Sequence, residues 1–407
     1  MLRPFRALRP RPADAARIAA VPYDVVDTEE ARALASGNAL SFLHVSRAEI
    51  DLPPGTDPHA DAVYDRAVEN FTALRRSLVI EDAPSVYAYR LRAGQHEQTG
   101  LAACFSLDDY DRDIIKKHER TRRDKEDDRT RHMLALGAQT GPVFLTYRAA
   151  ADVDRIVMAA TAGEPLFDVE AADGVRHTLW RIGGSECDRL VLAMGWVDAL
   201  YIADGHHRAA SAARARTDIH DRGLPRTSLG DGADYSTFLG VAFPDTQVQI
   251  LAYNRVVKDL AGLSPRAFLD AVRERFEIEA GPAEPRRRGE WAMYVEGAWH
   301  TLRPRVRPNE VDAIEALDVS ILQDQLLTPI LKIGDIRADK RIDFVGGARG
   351  TAELERLVQS GQAAVAFSMY PVSPDDLMAV SDAGAIMPPK STWFEPKLRD
   401  GLLIHLI

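Results

Sequence analysis

Cysteine is almost missing from this chain: 407 residues hold two, Cys104 and Cys187, and no C-x-x-C pair. That scarcity argues against a disulfide framework and a structural zinc site, and makes the reducing cytoplasm the expected setting. Long apolar runs are missing too, since none approaches the ~18 residues of a membrane helix. The first residues, M-L-R-P-F-R-A-L-R-P-R-P, carry basic side chains but no apolar core behind them, unlike a secretory signal. There is no internal repeat and no low-complexity tract. Positive charge is in deficit: 51 Lys and Arg against 61 Asp and Glu leave a net charge of -10, which argues against a broad nucleic-acid surface. What is present, 46% hydrophobic and 28% charged residues, suits a globular protein of two or three domains.

Apolar runs alternate with helical patterns, so the fold class expected is mixed α/β. Asp27 to Ser36 reads as a helix with Asp27 as N-cap and Glu30 completing a capping box. Ala62, Ala67, Phe71 and Leu74 fall at helical spacing within His59 to Leu78. Strands are expected at Ser85 to Leu91 and Thr99 to Leu107 as a hairpin, then at Gly141 to Tyr147, Ala199 to Ala203, Ser236 to Phe243 and Val248 to Tyr253. A helix over Pro265 to Phe276 precedes a hairpin turning at Glu296 and Gly297. Helices over Val311 to Leu327 and Thr351 to Ser360 and a strand over Ala363 to Ser368 follow. The expected division is residues 1–245 as one domain and 246–407 as a second α/β domain, whose segment at about 386–400 returns to the first domain's site.

The most informative stretch is L-Y-I-A-D-G-H-H-R-A-A-S-A-A from Leu200 to Ala213. A buried strand, one glycine and an alanine-rich helix build a phosphate cradle, because free backbone N–H groups and the positive helix end face the turn. Gly205 lets an anion approach the backbone, and Arg208 offers a bidentate grip. Asp204 can cap the helix or hold a metal or a substrate hydroxyl. His206 and His207 diverge, which suits phosphate or proton work better than a shared metal. The plain alternative is a strand-to-helix turn with polar caps.

Three more constellations stand out. In Lys117-His118-Glu119-Arg120-Thr121 and the residues after it, His118, Thr121, Lys125, Arg129 and His132 share one face if the whole stretch is helical. Such a face suits a phosphorylated substrate, although a solvated, ion-paired helix explains a charge run equally well. The loop Pro388 to Lys397 carries Lys390, Ser391, Thr392 and Lys397 between stiffening prolines and can close over an anion or act as a packing arm on Trp393 and Phe394. At Val21 to Asp27 a strand end meets a helix cap, placing Asp24 where an acid can accept a hydroxyl proton, or simply cap.

The segments R-P-F-R-A-L-R-P, V-P-Y-D-V-V, G-N-A-L-S-F-L-H-V, K-H-E-R-T, A-D-G-H-H-R and P-P-K-S-T-W-F-E-P-K-L together resemble the "domain of unknown function 1015" family, in order from residue 3 to about residue 402. Through its G-x-x-R segment that family is similar to the superfamily of ParB partition proteins, sulfiredoxin and free-serine kinases. The resemblance implies a ParB/sulfiredoxin-like nucleotide-binding core. Where sulfiredoxin has its catalytic cysteine this chain has His206, and no helix-turn-helix follows Arg208 as it does in ParB proteins. The serine kinases remain as the model. They imply ATP or ADP with Mg2+, Asp24 as the carboxylate that deprotonates a hydroxyl, His207 and Asp204 beside it, and Gly205, His206, Arg208, Lys117, His118, Arg120, Thr121, Lys390, Ser391 and Thr392 around the phosphates, with no protein-held metal.

The expectation is therefore a phosphotransferase moving phosphate from a nucleotide to a small hydroxyl compound, free L-serine first. Its alternatives are a phosphatase or nucleotide hydrolase, and a noncatalytic nucleotide-binding regulator. Neither nucleic acid nor membrane is an expected partner, and oligomeric state stays open, a homodimer included.

Overall fold

The computed structural model describes residues 1–223, 234–306 and 312–407. The chain divides into two compact units, Met1–Val248 with Pro396–Ile407, and Gln249–Glu395.

The first unit is built on a mixed sheet of nine strands. They are β1 (Leu2–Arg3), β2 (Val86–Ala93), β3 (His96–Ser106), β4 (Ile115–Lys116), β5 (Val143–Tyr147), β6 (Phe167–Glu170), β7 (Arg176–Ile182), β8 (Leu200–Asp204) and β9 (Thr237–Pro244). They lie in the order β4-β8-β5-β9-β3-β2-β7-β6, with β1 on β3. Pairing is antiparallel except at β4–β8 and β5–β9. The central strands are buried on both faces and read as almost unbroken apolar runs, such as V-F-L-T-Y in β5 and T-F-L-G-V-A-F-P in β9. Gly240 in β9 is closely packed, since a Cβ there would stand 3.0 Å from the Phe105 ring and 3.1 Å from the Val143 carbonyl.

The longer helices of this unit are α1 (Thr28–Ala35), α2 (Asp61–Leu74), α3 (Arg123–Leu136), α4 (Ala151–Thr161), α5 (Gly184–Met194) and α6 (His206–Asp221). The capping box of α1 is present: Glu30 N–H donates to Asp27 at 2.8 Å, and Asp27 N–H donates to Glu30 at 2.9 Å. Helix α2 is shorter than the spacing suggests, ending in a 3-10 turn at Arg75–Ser77. It buries Val63, Tyr64, Ala67, Phe71 and Leu74 and leaves Ala62 exposed. The last twelve residues are woven into this unit, His405–Leu406 pairing with Ala138–Gln139 and Asp400 bridging Ala20.

The second unit holds a six-stranded antiparallel sheet of β10 (Tyr253–Val257), β11 (Phe276–Ala280), β12 (Trp291–Val295), β13 (Ala298–Pro304), β14 (Ile342–Gly346) and β15 (Val365–Ser368), in the order β11-β13-β12-β15-β10-β14. Its helices include α7 (Pro265–Arg275), α8 (Asp318–Leu322), α9 (Gly350–Gln359) and α10 (Pro374–Asp382). The β12–β13 hairpin turns at Glu296 and Gly297, both at positive φ (50° and 76°), as a two-residue turn matched to strand twist demands.

Three expectations change. The strand over Val248 to Tyr253 breaks into Ile250–Leu251, paired with Trp393–Phe394, and β10, which runs on to Val257. The helix over Val311 to Leu327 is helical from Asp318, continuing as a π-helical turn at Gln323–Leu327, while Val311 lies outside the described residues. Val21 to Asp27 is not a strand end, because only Ala20 makes a bridge and residues 23–26 lie in turns and bends. Among the described residues no helix is long and apolar enough to cross a membrane.

Candidate functional site

Strand β8 delivers Asp204 to the turn, Gly205 takes φ 96°, and α6 begins at His206. That left-handed backbone is open to glycine at little cost, and any other residue would be strained there. No side chain caps α6, whose N-cap is Gly205 itself. The first-turn N–H groups and the positive helix end are thus left to a ligand or water. Asp204 does not cap the helix. It accepts from Lys397 Nζ at 2.9 Å, which brings the end of the chain to this turn. Burial would raise the Asp204 carboxyl, but the charges of Lys397 and Arg208 overcome it and hold the group well below its usual range.

Arg208 turns inward. It is 7% exposed, its Nη1 donates to the Pro142 carbonyl at 2.7 Å, and its Nη2 donates to both oxygens of Asp24 at 3.2 and 3.1 Å. This two-pronged contact fixes Asp24, whose own side chain keeps more than a third of its surface in water. The Tyr23 ring lies 4.2 Å from the Arg129 guanidinium and 5.9 Å from that of Arg208. Behind these residues is a cavity of about 40 Å³ lined in part by Tyr23, Arg129, His132, Arg208 and Asp400. Asp400 is buried, its Oδ1 has no hydrogen-bond partner, and burial followed by the nearby Asp24 charge pushes its carboxyl up to about 7 against the pull of Arg208 and Arg129. Gly141 makes room for it, since a Cβ there would stand 2.9 Å from Asp400 Oδ1.

Burial holds the three imidazoles at the turn, His118, His206 and His207, below their usual pKa range. His118 and His206 pack edge to face with ring centroids 4.5 Å apart, and burial pulls His118 down to about 4 and His206 well below its usual value. His118 therefore adds no positive charge to the site. His207 is half-buried, and its Nε2 accepts the Arg122 backbone N–H at 3.0 Å, tying the preceding loop to α6.

That loop corrects the single-face helix expected for residues 118–132. Helix α3 starts only at Arg123, so His118 and Thr121 precede it. The parallel pairing of β4 with β8 holds the chain extended first, Ile115 opposite Leu200 and Lys116 opposite Tyr201. Lys117 turns to the Tyr110 carbonyl at 2.9 Å, Arg120 is exposed, and the Thr121 hydroxyl donates to the Glu126 carboxylate. Lys390, Ser391 and Thr392 belong to the second unit. There the Ser391 hydroxyl donates to the Pro388 carbonyl at 2.6 Å and Lys390 Nζ lies 5.3 Å from the Tyr253 ring centroid.

Two residues of the site were not singled out in the sequence for the places they take. Lys397 was one donor among several in its loop, and Asp400 carried no local pattern except Gly401 after it and the buried run that follows. Among the described residues no group of three or more His, Cys, Asp or Glu side chains can hold a metal ion. The two carboxylates flanking the turn are already ion-paired, with Arg208 and Lys397. A resident magnesium does not fit this donor set.

The family model described as "Protein of unknown function (DUF1015)" matches residues 2–320. No curated protein matches the chain. Among solved structures, the chain is similar to a free serine kinase in complex with AMP (14% identity, 73% of this chain and 91% of that one, TM-score 0.36). It is also similar to a conserved hypothetical protein from Pyrococcus furiosus (14%, 75% and 95%, 0.36) and to SbnI with C-terminal truncation from Staphylococcus aureus (12%, 75% and 87%, 0.38).

Proposed function

This chain belongs to the DUF1015 family, and we propose that it is a nucleotide-dependent phosphotransferase acting on a small hydroxyl compound, free L-serine first, at the turn between β8 and α6. The observation that carries the reading is the uncapped N-terminus of α6 behind left-handed Gly205, with the Asp24 carboxylate fixed by Arg208 and the Lys397–Asp204 pair at the same turn.

The nucleotide phosphates dock on the first-turn N–H groups of α6, and Lys397 exchanges part of its contact with Asp204 for a phosphate oxygen. Asp24 takes the proton of the acceptor hydroxyl as its oxygen forms the new bond to phosphorus. The bond from phosphorus to the nucleotide oxygen breaks, and the departing nucleotide keeps the electron pair, with the helix end and Lys397 facing its charge. Arg208 positions Asp24 and does not grip the phosphate. Magnesium, if required, enters as the nucleotide's counter-ion.

The test combines nucleotide binding with turnover. Purified protein is heated with ATP, ADP or AMP and magnesium, and phosphoserine formation is followed with serine as acceptor. Binding should raise the melting temperature, and Asp24→Asn should retain binding while turnover falls by about 10²–10⁴-fold, the range for a lost general base. Absence of any nucleotide-dependent shift defeats the site. Binding without turnover on any hydroxy compound leaves the noncatalytic regulator in its place, and release of phosphate from phosphoserine without nucleotide would favour the phosphatase.

A further inference from the structure

The second unit buries a positive charge that none of its described residues neutralises. Arg255 lies in the middle of β10, paired with Phe344 on one side and Phe367 on the other, and is 2% exposed. Its guanidinium donates to two neutral carbonyls, those of Tyr253 and, at 3.1 Å, Lys390, and its carbon stands 5.6 Å from the Phe344 ring centroid. Among the described residues it has no carboxylate partner, and burial pulls its pKa down to about 10, so it stays charged at pH 7. A buried cation without an anion is costly, and a guanidinium has more N–H groups than two carbonyls use.

Arg255 lines a cavity of about 220 Å³ shared with Ser320 and Gln323. Both bring unmet polar atoms. Ser320 is 7% exposed and its hydroxyl has no partner. Gln323 Nε2 is held by Thr328 Oγ1 at 2.8 Å and by the Ile333 and Gly334 carbonyls at 2.9 and 3.2 Å, which fixes the amide and leaves Oε1 a buried acceptor without a donor. Gln323 also opens the π-helical turn, a local irregularity common at functional sites. Exposed Glu315 and Asp324 stand in the same lining, with Val319 and Ile336 as its apolar part.

We propose that this cavity binds a free α-amino acid, its carboxylate on Arg255 and the Ser320 hydroxyl, and its ammonium on Gln323 Oε1 and the carboxylates of Glu315 and Asp324. The donor set selects that class. A phosphate dianion would meet two acids and an amide acceptor, and a simple carboxylate would leave Gln323 Oε1 unmet. A zwitterion satisfies both ends. Every residue of this cavity belongs to the second unit, and the proposal does not rest on phosphoryl transfer.

Titration calorimetry on the full chain, with the twenty common L-amino acids, acetate and inorganic phosphate as separate probes, tests it. At least one amino acid should bind, and Arg255→Met should weaken it by about a hundredfold, as truncating one partner of a buried charge pair does. Asp24→Asn should leave that affinity unchanged. Ser320→Val, which removes one donor, should weaken it by about tenfold and serves if Arg255→Met fails to fold. The proposal is overturned if no amino acid binds below about 10 mM, if acetate or phosphate binds as tightly as any amino acid and loses that affinity in Arg255→Met, if Arg255→Met binds every amino acid as the unaltered chain does, or if Asp24→Asn abolishes binding.

Discussion

Arg208 and Arg255 are both buried arginines that donate to backbone carbonyls, yet their electrostatic surroundings are opposite. Arg208 has Asp24 in bidentate contact, with Asp204 and Asp400 adding negative potential, and these acids raise its pKa despite burial. Arg255 is in contact with no carboxylate among the described residues, only with two carbonyls, and burial lowers its pKa. An arginine ringed by acids is a structural clamp whose charge is spent on fixing one of them, Asp24, and offsetting the others. A buried arginine hydrogen-bonded only to neutral carbonyls, at the wall of a cavity, keeps its charge for something that arrives from solution.

The comparison breaks most visibly in folding stability. Arg208→Met should destabilise the protein by about 3 kcal/mol, the lower end for breaking a buried ion pair because Asp24 is partly solvated. The loss has two sources: the Pro142 carbonyl loses its donor, and three carboxylates lose the cation they share. Urea denaturation at pH 7 measures it. A change below about 1 kcal/mol would mean that Arg208 is not the clamp described here.

Asp400 tests how far the charge of Arg208 is shared. Its folded pKa of about 7 lies above the ordinary aspartate value of about 3.9. Between those values the folded state therefore binds more protons than the unfolded state, so the contribution of Asp400 is favourable at low pH and is lost as pH rises towards 7. Burial sets this balance first, with Asp24 adding to it and Arg208, Arg129 and the Tyr23 backbone opposing it, while His132 lines the same cavity. Asp400→Asn removes the titration. Relative to wild type it should gain at least about 1.4 kcal/mol, the equivalent of one pKa unit, between pH 5 and pH 8 in urea melts. Parallel pH profiles for the two proteins would show that Arg208 already neutralises Asp400.

The same contrast explains which parts of the molecule could be read in advance. The β8–Gly205–α6 turn was legible because its determinants are local: an apolar strand, one glycine at positive φ, and good helix formers after it. The capping box at Asp27 and the hairpin at Glu296-Gly297 were legible for the same reason. The job of Arg208 was not, since its partner Asp24 is 184 residues away. Nor was the non-helical course of Lys116 to Arg122, which begins with the pairing of β4 with β8 in place of a helical charge pattern. Lys397 and Asp400 enter through the fold of the chain's end. Arg255 did leave a mark, a charged residue inside the apolar strand Y-N-R-V-V, but the strand had been expected to stop at Tyr253.

The smallest effect is the most discriminating. Replacing Arg255 by methionine removes an uncompensated buried cation and substitutes an apolar chain that the Phe344 and Phe367 neighbours accept. Two carbonyls lose a donor, but the cost of burying the charge disappears with it, and well-packed apolar replacements of buried ionic groups are often neutral or stabilising. The unfolding free energy of the ligand-free protein should therefore move by less than about 1 kcal/mol, against the loss of about 3 kcal/mol at Arg208. Urea melts of Arg255→Met and Arg208→Met under one buffer decide it. Equal losses would show that Arg255 is as fully compensated as Arg208, by groups outside those described, and that its charge is not held for a ligand.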